Sequence, residues 1–413
     1  MIRVAIIGAG AAGCFCAIEA ARRHPDWSVT VYETGRKPLA KVALTGGGRC
    51  NLTNSFAEVT ELGQVYPRGH RLMGRLFHRF NQEDTWRWFE TEGVPLVLQE
   101  DQCVFPASQD ALQIVRVLQE RMREAGVKVQ CNARLTNLCQ PGSNGPWQLL
   151  FNEDQRVEAE MVVITTGGSP HRKGLNFLNE LGLQIVAPVP SLFTFKIPEG
   201  PRQLMGTVVK QADVALAGTK YKTEGPLLLT DWGMSGPAIL KLSSHAARYL
   251  SEQNYQATLL VNWLGRATAE QACERIRCFG IPGQQKQVAS VHPEELTSRL
   301  WAYLLERAGL RPDIRFAELG RKGLNRLAQV LTADAYAISG RAAFKEEFVT
   351  CGGISLSEIN SNTLEAKRFP GLFFAGEVLD IDAVTGGFNL QAAWTCGYTV
   401  AASLANASCG IPG

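Results

Sequence analysis

The stretch MIRVAIIGAGAAGCFCAIEAARRHPDWSVTVYE, Met1 to Glu33, decides the fold. Val4 to Ile7 is a continuous apolar run of the kind that fills a strand buried on both faces, and the Ala-rich segment from Ala11 to about Arg23 reads as a helix. Ser28 to Tyr32 alternates and is β-branched, so it returns as a second strand and completes a β-α-β unit ending at Glu33. Between the first strand and the helix stand Gly8, Gly10 and Gly13 in G-x-G-x-x-G spacing. The first glycine permits the tight turn, the second admits a pyrophosphate to the backbone and the third lets helix pack on strand, while the helix N–H groups face the negative charge. A carboxylate at Glu33 accepts from a ribose hydroxyl and repels a 2′-phosphate, which points to FAD or NAD rather than NADP as the resident dinucleotide.

Outward from this unit, the 413 residues exceed what one hydrophobic core usually fills, so two or three domains are expected. Arg71 to Glu92 reads as a helix, Gln102 to Phe105 as a short strand, and Asp110 to Ala125 as an amphipathic helix capped by Ser108. Val127 to Asn132 is a further strand, and Trp147 to Phe151 with Arg156 to Ile164 reads as a hairpin running to Gly167 and Gly168. From Pro188 the chain changes to short β-type stretches: Phe193 to Ile197, Gly206 to Leu216, Gly218 to Lys222, Leu227 to Leu229 and Ala257 to Trp263. Such spacing predicts a small antiparallel barrel or sandwich. Ala267 to Cys278, Pro293 to Ala308 and Lys322 to Leu331 carry helical patterns and form a helical insert. Buried β-texture returns at Glu346 to Ile354, Thr363 to Lys367 and Leu372 to Ala375, and Asn389 to Ala405 closes the chain as a helix.

The segment LFFAGEVLDIDAVTGGFNLQAAW, Leu372 to Trp394, repeats the strand, glycine turn, helix order, and it separates FAD from NAD. It resembles the second flavin motif of FAD-dependent oxidoreductases. By that resemblance Gly376 and Glu377 hold the ribityl chain, and the amides of Gly387, Phe388 and Asn389, after Gly386, face the flavin pyrimidine ring with the positive end of a helix. LTGGGRCNLTN, Leu44 to Asn54, is the most distinctive string. Taken with VFPAS at Val104 to Ser108 and LTDWGMSGPAIL at Leu229 to Leu240, the whole chain is similar to the bacterial HI0933-like or YhiN-like (BaiN-type) flavoproteins, described as NAD(P)/FAD-dependent or aminoacetone oxidase-type oxidoreductases. That resemblance implies an α/β fold: a discontinuous Rossmann-like FAD-binding domain, residues 1–187 and 350–413, interrupted by a β-barrel domain, 188–266 and 335–349, which carries a nested helical insert, 267–334. One departure is the compact SPHRKGLNF after Gly167 and Gly168, where family members carry a longer glycine-bearing stretch.

Gly46, Gly47 and Gly48 can present successive N–H groups to a phosphate or the flavin edge, with Arg49 as a charged partner. Ala12, Lys41, Asn51, Val129 and Thr166 also count among the candidate FAD contacts. Cys50 is the candidate catalytic group, because Arg49 beside it can lower a thiol pKa; the other reading is a small thiol packed under the loop. Cys14 and Cys16 cannot face each other on a helix, and Cys273 and Cys278 lie five apart, so no flavin-linked disulfide is expected and the electron partner comes from outside. With a single G-x-G-x-x-G there is no second dinucleotide domain, and NADH or NADPH would visit the flavin as a transient reductant. His70, His78, His171, His245 and His292 are scattered and read as surface or packing residues.

Forty-two Lys and Arg against 39 Asp and Glu leave a net charge of +3, too small to argue by itself for a nucleic acid or an anionic membrane. No apolar run approaches the ~20 residues of a membrane span. Unpaired cysteines without metal-ligand spacing fit a reducing cytoplasm. Arg68, Arg71, Arg75 and Arg79 recur at helical spacing, either as a solvated face or as a phosphate track. The track matters because members of the family are associated with reduction of uracil to dihydrouridine in ribosomal RNA. The sequence therefore supports an FAD-dependent oxidoreductase with a small-molecule or RNA substrate and neither membrane nor DNA as partner; the alternatives are an RNA-modifying reductase and a flavin-binding sensor with little turnover.

Overall fold

A computed structural model of the chain describes residues 1–140, 145–169, 172–281, 283–342 and 349–408; His171 lies outside them, as does the 346–348 part of the strand expected from Glu346. The chain forms two compact units, Met1–Pro190 with Val349–Gly413, and Ser191–Phe348.

In the first unit the apolar run at the N-terminus becomes the middle of a five-stranded parallel sheet. Its order is Leu372–Phe374, Met161–Ile164, Arg3–Ile7, Ser28–Tyr32, Lys128–Gln130. The register pairs Ile7 with Ile164 on one side and with Tyr32 on the other. After the first strand the chain moves to one side and later returns to the other, so the sheet reverses direction between Ile7 and Ile164. In open α/β sheets the crevice outside the carboxyl ends of the strands at such a reversal receives the ligand. The helices Ala11–Arg23 and Phe388–Ser408 pack against each other. Small residues allow the approach: a Cβ on Gly397 would lie 2.7 Å from the Ala12 carbonyl oxygen, and one on Gly376 would lie 3.0 Å from the Ala12 Cβ.

Several segments depart from the sequence reading for local reasons. The helix expected over 71–92 is two helices, His70–Leu76 and Gln82–Thr91. Asn81 starts the second with a capping box: its side chain accepts from the N–H groups of Glu83 and Asp84, and Asp84 accepts from that of Asn81. The helix Ala111–Glu124 is capped by Asp110, whose carboxylate accepts from Leu112, and not by Ser108. The stretch 156–164 divides at Glu160. Gln155–Ala159 pairs with Trp147–Phe151 in an antiparallel sheet, while Met161–Ile164 enters the parallel one. Glu160 anchors the division by accepting from the Arg3 backbone and guanidinium, each at 2.6 Å. Thr363–Lys367 forms only isolated bridges, Ala366 with Ile359 and Glu365 with Phe373.

The second unit holds a seven-stranded antiparallel sheet. Its two end strands, Asp334–Ile338 and Gly340–Arg341, are separated in the chain by Ser339 alone; one pairs with Ala257–Asn262 and the other with Phe195–Lys196. That continuity curls the sheet into a barrel. Gly218 to Lys222 is a turn rather than a strand, and the strand runs Lys222–Leu229. The helices Pro237–His245 and Ala247–Glu252 were not expected; the first has Pro at its opening position after Gly236. The helices Ala269–Gly280, Ser298–Arg307 and Gly320–Ala333 share one apolar core with the barrel, with Trp301, Leu304 and Leu327 in the cluster that contains Val261 and Trp263. Among the described residues no helix is long and apolar enough to cross a membrane.

Candidate functional site

The first glycine turn sits at the carboxyl end of Arg3–Ile7. The Gly8 N–H donates to the Tyr32 carbonyl at 2.7 Å, which ties the turn to the neighbouring strand. The Thr165 hydroxyl, buried at the end of the strand on the other side, donates to the carbonyls of Ile7 at 3.0 Å and Gly8 at 2.8 Å. Glu33 accepts from the N–H of Ala9 at 2.8 Å and of Gly35 at 2.6 Å, so its carboxylate is held at the mouth of the turn.

The glycines around this crevice fall into two sets. A Cβ on Gly8 would stand 2.5 Å from the Thr165 carbonyl oxygen, and one on Gly13 would stand 2.0 Å from the Gly8 carbonyl oxygen. These are glycines because backbone presses on backbone. Gly10 is different: its φ is −85° and a Cβ there would meet nothing within 4 Å. Gly47 and Gly48, at φ +67° and +83°, likewise face open space, whereas a Cβ on Gly46 would meet the Asn51 nitrogen at 2.8 Å. Gly46–Gly48 is thus a left-handed turn offering bare backbone to whatever fills the crevice. Among the described residues no packing explains Gly10, and a cradle that a Cβ would fill fits a pyrophosphate lying over the helix start.

The Gly46–Asn51 loop rests against the VFPAS strand. Leu52 N–H donates to the Val104 carbonyl at 2.8 Å, and the Arg49 guanidinium lies over the Phe105 ring at 4.4 Å. Arg49 therefore does not lower the Cys50 thiol as expected. Cys50 is fully buried at φ +61°, and burial pushes its thiol up to about 12. The burial fits the packed-thiol reading of Cys50 and holds the thiol in its protonated form. Cys14, Cys16 and Cys396 are buried too, and burial raises all three thiols.

The same loop leads to the second glycine turn. With the Asn51 amide oriented to satisfy both neighbours, its oxygen accepts from the Gly387 N–H at 3.2 Å and its nitrogen donates to the Thr53 carbonyl at 3.0 Å. Asn54 donates to the Gly386 carbonyl at 3.1 Å, and the buried Tyr66 hydroxyl donates to the Phe388 carbonyl at 2.8 Å. Asn389 brackets the loop, accepting from Ala383 N–H and donating to the Ala383 carbonyl. The Gly387 amide, expected to face the ring, is held by Asn51, while the first helical N–H groups from Phe388 onward have no acceptor inside the helix. Glu377 accepts from the Thr350 N–H at 2.7 Å and lies against Gly167 and Gly168, where a Cβ on Gly168 would meet it at 2.4 Å. Among the other expected contacts, Ala12 packs on Gly376 and Gly397, Thr166 and Lys41 are exposed, and Val129 is 40% exposed on the Lys128–Gln130 strand.

Residues the sequence reading passed over also build this region: Thr165, Asn54, Tyr66 and the ion pair of Arg68 with the fully buried Asp382. Asn54 lies inside the LTGGGRCNLTN string and was within reach of the motif; Tyr66 and Thr165 carry no local signal. Of the expected arginine face, Arg71, Arg75 and Arg79 remain exposed, while Arg68 is drawn inward. Arg68 binds Asp382, Arg71 and Arg75 lie on the short helix, and Arg79, beyond its end, reaches the Ser403 hydroxyl at 3.4 Å.

A parallel sheet with a dinucleotide turn on its first strand and a second glycine turn opening a long buried helix is the frame of an FAD-dependent oxidoreductase. The chain belongs to the HI0933-like family, whose Rossmann domain model matches residues 2–403. Among curated relatives it is 29% identical to a ribosomal RNA dihydrouridine synthase of Escherichia coli, with 97% of each chain covered. It is 27% identical to a 3-dehydro-bile acid delta(4,6)-reductase of Clostridium scindens, over 96% of this chain and 98% of that one. Among solved structures, the 3-ketosteroid-delta4-(5alpha)-dehydrogenase of Rhodococcus jostii aligns with a TM-score of 0.51 at 14% identity, over 98% of this chain and 97% of that one, which shows the shared fold.

Proposed function

We propose that the protein reduces a ring carbon–carbon double bond conjugated to a carbonyl, with NADH or NADPH as the electron source. The observation that carries the reading is the set of glycines, Gly10, Gly47 and Gly48, that neither packing nor, at Gly10, backbone angle requires. The chemistry of the substrate is supported by the relatives: the names of both the bile acid reductase and the dihydrouridine synthase describe saturation of a ring double bond.

When bound, FAD supplies a two-electron carrier between the nicotinamide and the substrate. Overall, NAD(P)H and a proton convert C=C to CH–CH and leave NAD(P)⁺. The chain's own part is to hold and to polarise. Gly10 and the start of the Ala11–Arg23 helix would take the pyrophosphate, Glu33 a ribose hydroxyl, and Glu377 the ribityl chain, with Gly46–Gly48 on the flavin edge. The first amides of Phe388–Ser408 favour negative charge developing beside them. Cys50 is packed beneath the Gly46–Asn51 loop as a buried thiol. The ten free cysteines among the described residues fit a reducing cytoplasm.

The inserted unit favours an RNA-borne uracil over a free sterol-like substrate. Residues 191–348 carry twenty Lys and Arg against fifteen Asp and Glu, while the rest of the chain carries 22 against 24. Anaerobic titration of the purified yellow protein with NADH and then NADPH tests the electron source through bleaching of the flavin band. Reoxidation by a cyclic dienone or by an unmodified ribosomal RNA transcript tests the acceptor. Bleaching by neither nucleotide would defeat the reading and leave a flavin-binding sensor.

A further inference from the structure

We propose that one face of the inserted unit, built from Lys286, Arg315, Arg321, Lys322 and Arg326, docks the phosphate backbone of an RNA substrate. The proposal deepens the RNA reading above and rests on it. The helix Gly320–Ala333 buries Gly323, Leu324, Leu327, Ala328 and Leu331 in the core it shares with the barrel. Its exposed side chains are Arg321, Lys322, Asn325, Arg326 and Gln329, and its fourteen residues contain no acid. Arg321 and Lys322 occupy the first turn, where the helix dipole disfavours cations, so stability of the isolated helix does not account for them.

Neighbouring segments extend the charge. An antiparallel bridge joins Gln287 to Arg315, and the Phe316 N–H donates to the Lys286 carbonyl at 3.2 Å, which sets Lys286 and Arg315 on adjacent strips of chain. Arg315 donates to the neutral Gln285 amide at 2.9 Å. The Arg326 guanidinium lies 3.4 Å from where a Cβ on Gly309 would stand, joining the helix stripe to the Gly309–Arg311 turn. Arg311 itself is neutralised by Glu318 at 3.1 Å, with Asp313 at 3.9 Å. Among the described residues the other five cations form no ion pair.

The chemistry selects the partner. Guanidinium groups bind phosphate through paired N–H donors, and three of the five cations are arginines. The exposed side of the helix offers no apolar side chain to enter a bilayer, and the interleaved amides of Asn325 and Gln329 suit sugar and base edges.

The test uses the FAD-loaded protein, a fluorescein-labelled unmodified ribosomal RNA transcript, and the triple variant R321Q/K322Q/R326Q, whose exposed positions leave the core intact. Anisotropy titrations at several salt concentrations should show affinity falling at least about tenfold in the variant, and the slope of log K against log salt less steep by about two, for three lost contacts at about 0.7 each on single strands. Melting temperature and flavin reduction by NAD(P)H should match wild type. Unchanged affinity and slope would overturn the assignment, as would failure of the wild-type protein to bind the transcript. So would a variant that loses binding to phosphatidylglycerol vesicles but keeps RNA. In each of those cases, flavin reduction and reoxidation by a free dienone would still report separately on the reductase reading.

Discussion

The opening helix Ala11–Arg23 and the closing helix Phe388–Ser408 both start at a glycine turn beside the parallel sheet, and they are held there by different means. The opening turn is fixed mainly by its own β-α-β unit, through Gly8 to Tyr32 and Ala9 to Glu33, with one distant hydroxyl from Thr165. The closing turn is fixed from afar. Asn54 reaches Gly386 across 332 residues of chain, Tyr66 reaches Phe388 across 322, and Trp394 donates to the Leu52 carbonyl across 342. A phosphate cradle needs only backbone N–H groups at a helix start, which one short motif supplies. A ring site needs its helix aimed at a plane, and the aim is set by partners that meet only after the chain has folded.

The comparison can be broken most severely at Gly13. A Cβ there would meet the Gly8 carbonyl oxygen at 2.0 Å and the Thr165 hydroxyl at 2.5 Å, so Gly13→Ala should yield no stable FAD-loaded protein; soluble yellow protein from that variant would refute the packing account. At the closing turn the largest loss should come from Asp382→Asn, which leaves the Arg68 guanidinium without its buried carboxylate. Removal of one member of such a pair costs about 3–5 kcal/mol, to be read from urea unfolding.

Alkaline pH probes both helices through their thiols. Burial pushes Cys16 on the opening helix and Cys396 on the closing helix up to about 12, from 9.0 when unfolded. Above about pH 9 the unfolded chain releases these protons while the folded chain keeps them. Stability should therefore fall by about 1.4 kcal/mol per thiol for each pH unit between about 9 and 12. Cys16→Ala and Cys396→Ala should each flatten the alkaline decline of the urea midpoint by that share, and an unchanged slope would contradict the burial assignment.

Smaller still, Thr165→Val keeps the shape and loses the one hydroxyl proton shared between the Ile7 and Gly8 carbonyls at the opening turn, about 1–3 kcal/mol, with weaker FAD retention in fluorescence titrations. Gly10→Ala should leave the unfolding midpoint of the apoprotein nearly unchanged, because the new Cβ meets nothing, yet it should weaken FAD binding at least about tenfold, or about 1.4 kcal/mol. Wild-type FAD affinity in that variant would remove the cradle.

Much of the first unit was legible in sequence because its signals are local. The apolar run Val4–Ile7, the glycine spacing and the β-branched Ser28–Tyr32 each report a backbone state within a few residues. Boundaries failed where one side chain decides: Asn81 and Asp84 divide a helical pattern that runs on from Arg71, and Glu160 divides a β-pattern between two sheets. The helices Pro237–His245 and Ala247–Glu252 were hidden in a glycine- and proline-rich stretch that reads as turns between strands. In the arginine spacing at 68–79, Arg71 and Arg75 share one short helix and stay exposed, whereas Arg68 is taken by a buried carboxylate that no local spacing announces. The basic face on Gly320–Ala333 emerged only once burial showed which of its residues point outward.

By itself the sequence determined the class of the fold, the dinucleotide turn and the order of the segments, because glycine spacing, apolar periodicity and the Glu33 position act through the nearest backbone. Tertiary structure decided which glycines are packed and which stand open, that Cys50 is a buried neutral thiol rather than one activated by Arg49, and that Arg68 is neutralised by Asp382. Those properties depend on what comes within a few ångströms from a distant part of the chain: desolvation, pairing and contact are set by neighbours in space, which no spacing along the sequence records.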